Sequence, residues 1–189
     1  MTDLNALPCE VTCQNSKVQK LKTELRLCTH KDLPRILKLQ ELVLNRMPDK
    51  DQFVWTPDVE IEESLAEDCC IGAFHAGRLV LFALMIKNRV SPRNLGYALG
   101  YDEDRLKKTV TYDTTFVDPD YRGYGLQYLA IGIMDRLAVK IGAAEALATI
   151  SPENSYSLHN AMIKGFAVAA KKEMYGGYER FILRKVLDD

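Results

Sequence analysis

Seven apolar residues, Leu126, Leu129, Ala130, Ile133, Leu137, Ala138 and Ile141, recur at the spacing that draws one stripe down a helix, and Gly142 stops it. Leu33, Ile36, Leu37, Leu44 and Met47 mark an earlier helical face. Asp32 can cap that helix, Pro34 is tolerated in its first turn, and Pro48 closes it. In "TPDVEIEESLAED" a proline and early acids suit the start of a second helix. A last helix is read in "NSYSLHNAMIK", ending at Gly165.

Strand-like runs fill the gaps. "TELRLCT" alternates, and "CCIGAFHAG" and "RLVLFALMIKN" meet at Ala76-Gly77, a hairpin signal. Leu79 to Ile86 is apolar without alternation, as in a central strand covered on both faces. "TVTYDTTFV" (Thr109 to Val117) is β-branched and aromatic, "AEALATI" follows the striped helix, and "FAVAAKKEMY" and "YERFILRKVL" join through Gly176-Gly177. "SPRNLGYALGYDEDRLKK" has the composition of a long surface loop, and connections of that length are more often functional than short ones. Residues 1–20 read as polar and aperiodic, a loosely held arm before one domain over 21–189. The order is strand, two helices, three strands, helix, strand, helix, two strands, which fits an α/β mixed sheet with helices on both faces.

Composition narrows the function. With 189 residues, 47% apolar and 27% charged, the chain can bury a core without metal or disulfides. A net charge of −1 gives no global field toward nucleic acid or an anionic membrane. Five cysteines share no ligand spacing with the three histidines, so no metal site is expected. An odd number of cysteines, with no signal-like start and no apolar run of membrane length, gives the expectation of a cytoplasmic protein.

The chemistry concentrates in "PDYRGYGLQ", residues 119–127, where strand gives way to helix. Glycine serves a sharp turn or a close approach to the backbone. A P-loop would need Lys-Ser or Lys-Thr after the second glycine, and Leu126-Gln127 stands there. A dinucleotide fingerprint would need a third glycine at 128, which is tyrosine. What remains is an Arg-Gly-x-Gly turn whose free N–H groups meet the positive end of a helix, able to seat a pyrophosphate without lysine. A tight connection with no ligand is the alternative.

"VDPDYRGYGL", the strong helix, a strand, and then Asn154, Ser157 and Gly165-Phe166 together resemble the GNAT superfamily of acetyl-CoA-dependent N-acetyltransferases. The resemblance covers residues 109–186; earlier residues fit only in element order. Asp120 stands where the signature usually begins with Gln or Arg. The resemblance implies a single GNAT-like domain with a mostly antiparallel sheet, and acetyl-CoA as cosubstrate. It implies that amides of Arg122, Gly123, Tyr124, Gly125, Leu126 and Gln127 hold the pyrophosphate. Asn154, with Ser157 in the same motif, would hold the pantetheine arm, and the N–H near Val117 would polarise the thioester carbonyl. The acceptor would be a small-molecule or peptide amine, attacking directly in a ternary complex, and a homodimer would be common for such a protein.

An alkyl ammonium of pKa about 10.4 costs about 4–5 kcal/mol to deprotonate at pH 7, work that a carboxylate performs. Asp113 lies inside the strand on the face of Thr111, Thr115 and Val117. It is either a base or substrate anchor, or a polar residue on a wet strand face. Family members often carry a tyrosine seven residues after the motif asparagine as the acid, and here that position is Ala161. Tyr156 and Tyr175 are the substitutes in reach of the motif, with packing as the plain alternative for Tyr175. Arg180 follows the glycine pair and could meet an acidic group of a substrate. A non-catalytic acyl-CoA sensor would keep the phosphate turn and lose the chemistry.

Overall fold

The computed structural model of the chain describes residues 7–187. Eight strands form one sheet in the order β1-β2-β3-β4-β5-β6-β8-β7. They are β1 (Cys9–Gln14), β2 (Lys20–Leu27), β3 (Cys69–His75), β4 (Arg78–Ile86), β5 (Thr109–Val117), β6 (Glu145–Ile150), β7 (Ala167–Met174) and β8 (Tyr178–Val186). The helices are α1 (Leu33–Asn45), α2 (Asp58–Glu67), α3 (Glu103–Leu106), α4 (Leu126–Lys140) and α5 (Ser155–Ile163). β5 and β6 pair in parallel, while β1–β2, β2–β3, β6–β8 and β7–β8 pair antiparallel.

The expected N-terminal arm is corrected over its described part. Cys9–Gln14 is a strand, with Cys9 opposite Leu25 and Gln14 opposite Lys20. "CEVTCQ" does alternate: Cys9, Val11 and Cys13 are half-buried while Glu10, Thr12 and Gln14 are exposed. Two cysteines and a valine give weak contrast, which hides the period.

The chain forms two compact units. One takes the chain up to residue 48, residues 55–84 and residues 114–130. Its core holds Leu25, Ile36, Ile61, Ile71 and Leu81, with Phe82 and Phe116 stacked at 5.7 Å between centroids. The apolar run of β4 is buried at every position after Arg78, as a central strand requires. Buried Gln40 satisfies both ends of its amide on the Thr56 backbone at 3.0 Å, and the Thr56 hydroxyl meets that of Thr114.

The other unit takes residues 49–54, 85–113 and those from 131 onward. Strand register sorts its side chains onto two faces. Toward α4, the Tyr112 hydroxyl donates to Asp135 at 2.8 Å, Lys185 pairs with the same carboxylate, and the Tyr112 ring meets Phe166 edge-on. The opposite face carries Thr109, Thr111 and Asp113 of β5, Glu145 and Thr149 of β6, and Arg180 and Arg184 of β8. There the 91–108 segment keeps the largely exposed character its composition suggested, but Asn94, Leu95, Gly96 and Leu106 are buried against the sheet. Asn94, 1% exposed, donates to the carbonyls of Arg89, Leu106 and Thr109 and accepts from Gly96 N–H. Leu95 N–H donates to Thr111 at 3.0 Å. One buried asparagine ties the segment to β5, because the buried carbonyls of Leu106 and Thr109 both accept from its amide.

Candidate functional site

The glycine turn stands between a short 3-10 segment, Pro119–Tyr121, and the start of α4. Gly123 and Gly125 adopt φ of +83° and +71°, left-handed values that side chains resist. An added Cβ would meet nothing within 4 Å at either position, so glycine is required here by backbone shape and not by crowding. Alternating backbone hands turn successive amides to one side. Among the described residues, the N–H groups of Gly123, Tyr124, Gly125 and Leu126 have no protein acceptor. The glycines and Arg122 are exposed. Together they form a run of unpaired donors at the positive end of a 15-residue helix.

A chain of charges braces that turn. Asp118, fully buried, accepts from Asp120 N–H at 3.1 Å, and its carboxylate pairs with Arg78. Arg78 also approaches Asp120 at 3.9 Å, and Arg46 at the end of α1 takes the other side of Asp120 at 2.9 Å. The Tyr121 ring packs against His75 and Arg78. Asp120, the departure from the usual signature, therefore serves as a tether to α1. Asp118 N–H, next after Val117, donates to the Val80 carbonyl at 3.0 Å, which fixes the end of β5.

In the other unit, Asp113, Thr149 and Arg180 share one face of β5, β6 and β8, and Tyr175 reaches it. Asp113, half-buried, has Arg93 Nη2 at 3.4 Å. The Tyr175 hydroxyl shares a 2.9 Å hydrogen bond with Thr149 Oγ1. Burial raises the Tyr175 phenol above its ordinary value; the Thr149 bond opposes this, the Asp113 charge adds to it, and Arg180 works against it. The hydroxyl is thus protonated at neutral pH. Arg180 is 4% exposed and donates to two backbone carbonyls, its neighbour Glu179 at 2.8 Å and Asp51 at 2.6 Å. Desolvation lowers its guanidinium below the usual value.

No protein-family model matches the chain, and no curated protein sequence matches it. Solved structures do. An acetyltransferase of the GNAT family from Streptococcus pneumoniae superposes with a TM-score of 0.66 over 87% of this chain and 98% of its own, at 16% identity. This is the GNAT fold. Salmonella typhimurium yncA, solved with its cofactor acetyl-CoA, shares it over 88% of this chain and 95% of its own at 15% identity and a TM-score of 0.66. The ribosomal-protein-S18-alanine N-acetyltransferase from Escherichia coli does so over 88% and 95%, at 16% identity and the same TM-score. The mixed, mostly antiparallel sheet expected from the resemblance is the sheet observed.

Within the GNAT fold the expected residues separate into two groups. Val117 and residues 122–127 lie together in the first unit. Asp113, Tyr175, Asn154, Ser157 and Tyr156 lie in the second. Asn154 is the N-cap of α5, its side-chain Oδ1 accepting from Ser157 N–H at 3.1 Å, and among the described residues its Nδ2 has no partner. Tyr156 stands 85% exposed on the first turn of α5, and Ala161 is buried on the same helix. Tyr175 is the tyrosine that reaches the Asp113 face. Sequence reasoning missed Arg93, Thr149, Arg78 and Arg46, whose partners are 20 to 74 positions away. Among the described residues no group of His, Cys, Asp and Glu is placed to hold a metal ion, and no helix is long and apolar enough to cross a membrane.

Proposed function

We propose that this chain is an acetyl-CoA-dependent N-acetyltransferase that acetylates a primary amine by direct attack in a ternary complex. The observation that carries the reading is the cradle of four unpaired N–H groups from Gly123 to Leu126 at the head of α4. Those donors fit a pyrophosphate, which accepts but does not donate. Arg122 and Gln127 add polar groups in the same unit, with the Val117 N–H as carbonyl donor. In the other unit, Asn154 with its free Nδ2 and Ser157 are the groups the resemblance assigns to the pantetheine arm. Bound acetyl-CoA supplies the acetyl group as an activated thioester. Asp113 takes the proton that the acceptor's ammonium must lose, and neutral Tyr175 returns one to the leaving thiolate. Arg93 beside Asp113 and alanine at 161 favour a second reading, a non-catalytic acyl-CoA module, which the absence of turnover with any amine would establish. The acceptor is a small-molecule or peptide amine, and a homodimer in the cytoplasm is part of the same proposal.

Calorimetric titration with acetyl-CoA tests the cradle. Micromolar binding is expected, adding about 2.7 kcal/mol of stability at 100 times the dissociation constant. Gly123→Ala has room for its methyl but the wrong φ, so affinity should fall at least tenfold with the fold intact. A folded wild-type protein that binds no acetyl-CoA would sink the proposal.

A further inference from the structure

We infer that the amine acceptor also carries a carboxylate, and that Arg180 binds it, so that the acceptor class is amino-acid-like; this rests on the acetyltransferase reading above. Register places the three groups on one face. Tyr112 pairs with Ala148, which sets Asp113 level with Thr149. Thr149 lies opposite Ile182, and Arg180 is two residues along β8 on the same side. Thr149 and Arg180 are diagonal neighbours, about 7–8 Å apart, and Asp113 stands one strand beyond Thr149, so the Asp113 and Arg180 side chains must reach toward each other across β6 to hold one zwitterion. The Tyr175 hydroxyl sits on Thr149 between them and feels the charges of both Asp113 and Arg180.

Arg180 is a buried guanidinium whose two hydrogen bonds end on neutral carbonyls, those of Glu179 and Asp51. Asp49 and Asp51 act on it only through charge. A buried cation without a bonded anion is costly, and a planar guanidinium matches a carboxylate better than any other group. Stapling the 49–54 segment to β8 uses two of its five donors and needs no charge. An acceptor that presents an ammonium to Asp113 and a carboxylate to Arg180 uses both charges. A diamine would set a second cation against Arg180 and be refused.

The test is acetyl transfer from acetyl-CoA to matched pairs, each amino acid beside its own amide, with putrescine as the diamine. Wild type should prefer the acids by about 10- to 100-fold in kcat/KM. Arg180→Gln should bring that ratio near one, and Arg180→Lys should hold an intermediate value. Equal use of acids and amides by wild type, or a ratio that Arg180→Gln leaves unchanged while every acceptor or the melting temperature falls alike, would overturn the inference and leave the acetyltransferase reading standing. If no amine is acetylated, that reading fails, and the same pairs are titrated calorimetrically. Binding of acids but not amides, lost in Arg180→Gln, would keep the carboxylate site; equal binding or none would remove it.

Discussion

Asp113→Asn is expected to lower acetyl transfer at pH 7 by 10²- to 10⁴-fold while leaving acetyl-CoA affinity unchanged. Asparagine keeps the shape and can no longer accept the proton. An acceptor ammonium of ordinary pKa is then deprotonated only by solvent, against about 4–5 kcal/mol at pH 7. That penalty shrinks as pH rises toward about 10.4, so the gap between variant and wild type should narrow steadily in a kcat/KM profile. Arg93 at 3.4 Å sharpens the prediction. The acceptor ammonium must displace Arg93, or reach Asp113 through a water, to hand over its proton. A variant as active as wild type would end the role assigned to Asp113. A constant deficit at every pH, with acceptor KM raised, would make it an anchor and not a base.

The largest effect on stability belongs to Glu145. This carboxylate, 4% exposed, accepts from Arg105 Nε at 2.7 Å and Nη2 at 3.1 Å, from Thr109 Oγ1 at 3.1 Å, and from Arg184 Nε. Burial alone would raise its pKa, but the bonds from Arg105, Arg184 and Thr109 outweigh burial and leave it below the ordinary carboxylate value. Arg105 stacks on Tyr101 at 3.6 Å, so the same acid anchors the loop over β5. Both arginines are near half-exposed and regain water when released. Glu145→Ala should therefore cost about 2–3 kcal/mol, less than breaking a fully buried pair, or about 5–10 °C in melting temperature. A group with a depressed folded pKa contributes stability that is present above its unfolded pKa and lost as pH falls through the folded value. The difference between wild type and Glu145→Ala should then be full at neutral pH and shrink as pH falls through the folded value, which lies below the ordinary carboxylate value. Asp32, held well below the usual range chiefly by the Arg26 hydrogen bond, makes the wild-type loss on acidification steeper. Equal melting curves at pH 7 would remove Glu145 from this account.

How far the sequence carries can be judged residue by residue. The stripe of α4, the Ala76-Gly77 turn and the glycine signature were legible because each is written in neighbouring positions. β1 was missed because cysteine and valine on a half-buried edge contrast weakly with threonine and glutamine. Asn94 was hidden because a polar residue among Pro, Gly and Asp reads as surface, whereas its amide is the hub of a buried network. Sequence alone could offer Arg180 only as a candidate for an acidic group of a substrate; the β6–β8 register and the 49–54 segment show that it is enclosed. The pairing of Tyr175 with Thr149 depends on the same register and on the turn that follows β7. Contacts of that kind are fixed by folding and not by spacing.

That turn has one more consequence. Tyr175 itself sits at φ +55°, in the left-handed region, ahead of Gly176 and Gly177. A non-glycine residue held there costs of order 1 kcal/mol or more. Under the role proposed for Tyr175, heat tolerance and chemistry therefore pull in opposite directions at position 175. A population evolved only to survive higher temperature would drift toward glycine or asparagine there and shed the hydroxyl. A lineage that retains tyrosine would be showing selection for the hydroxyl itself.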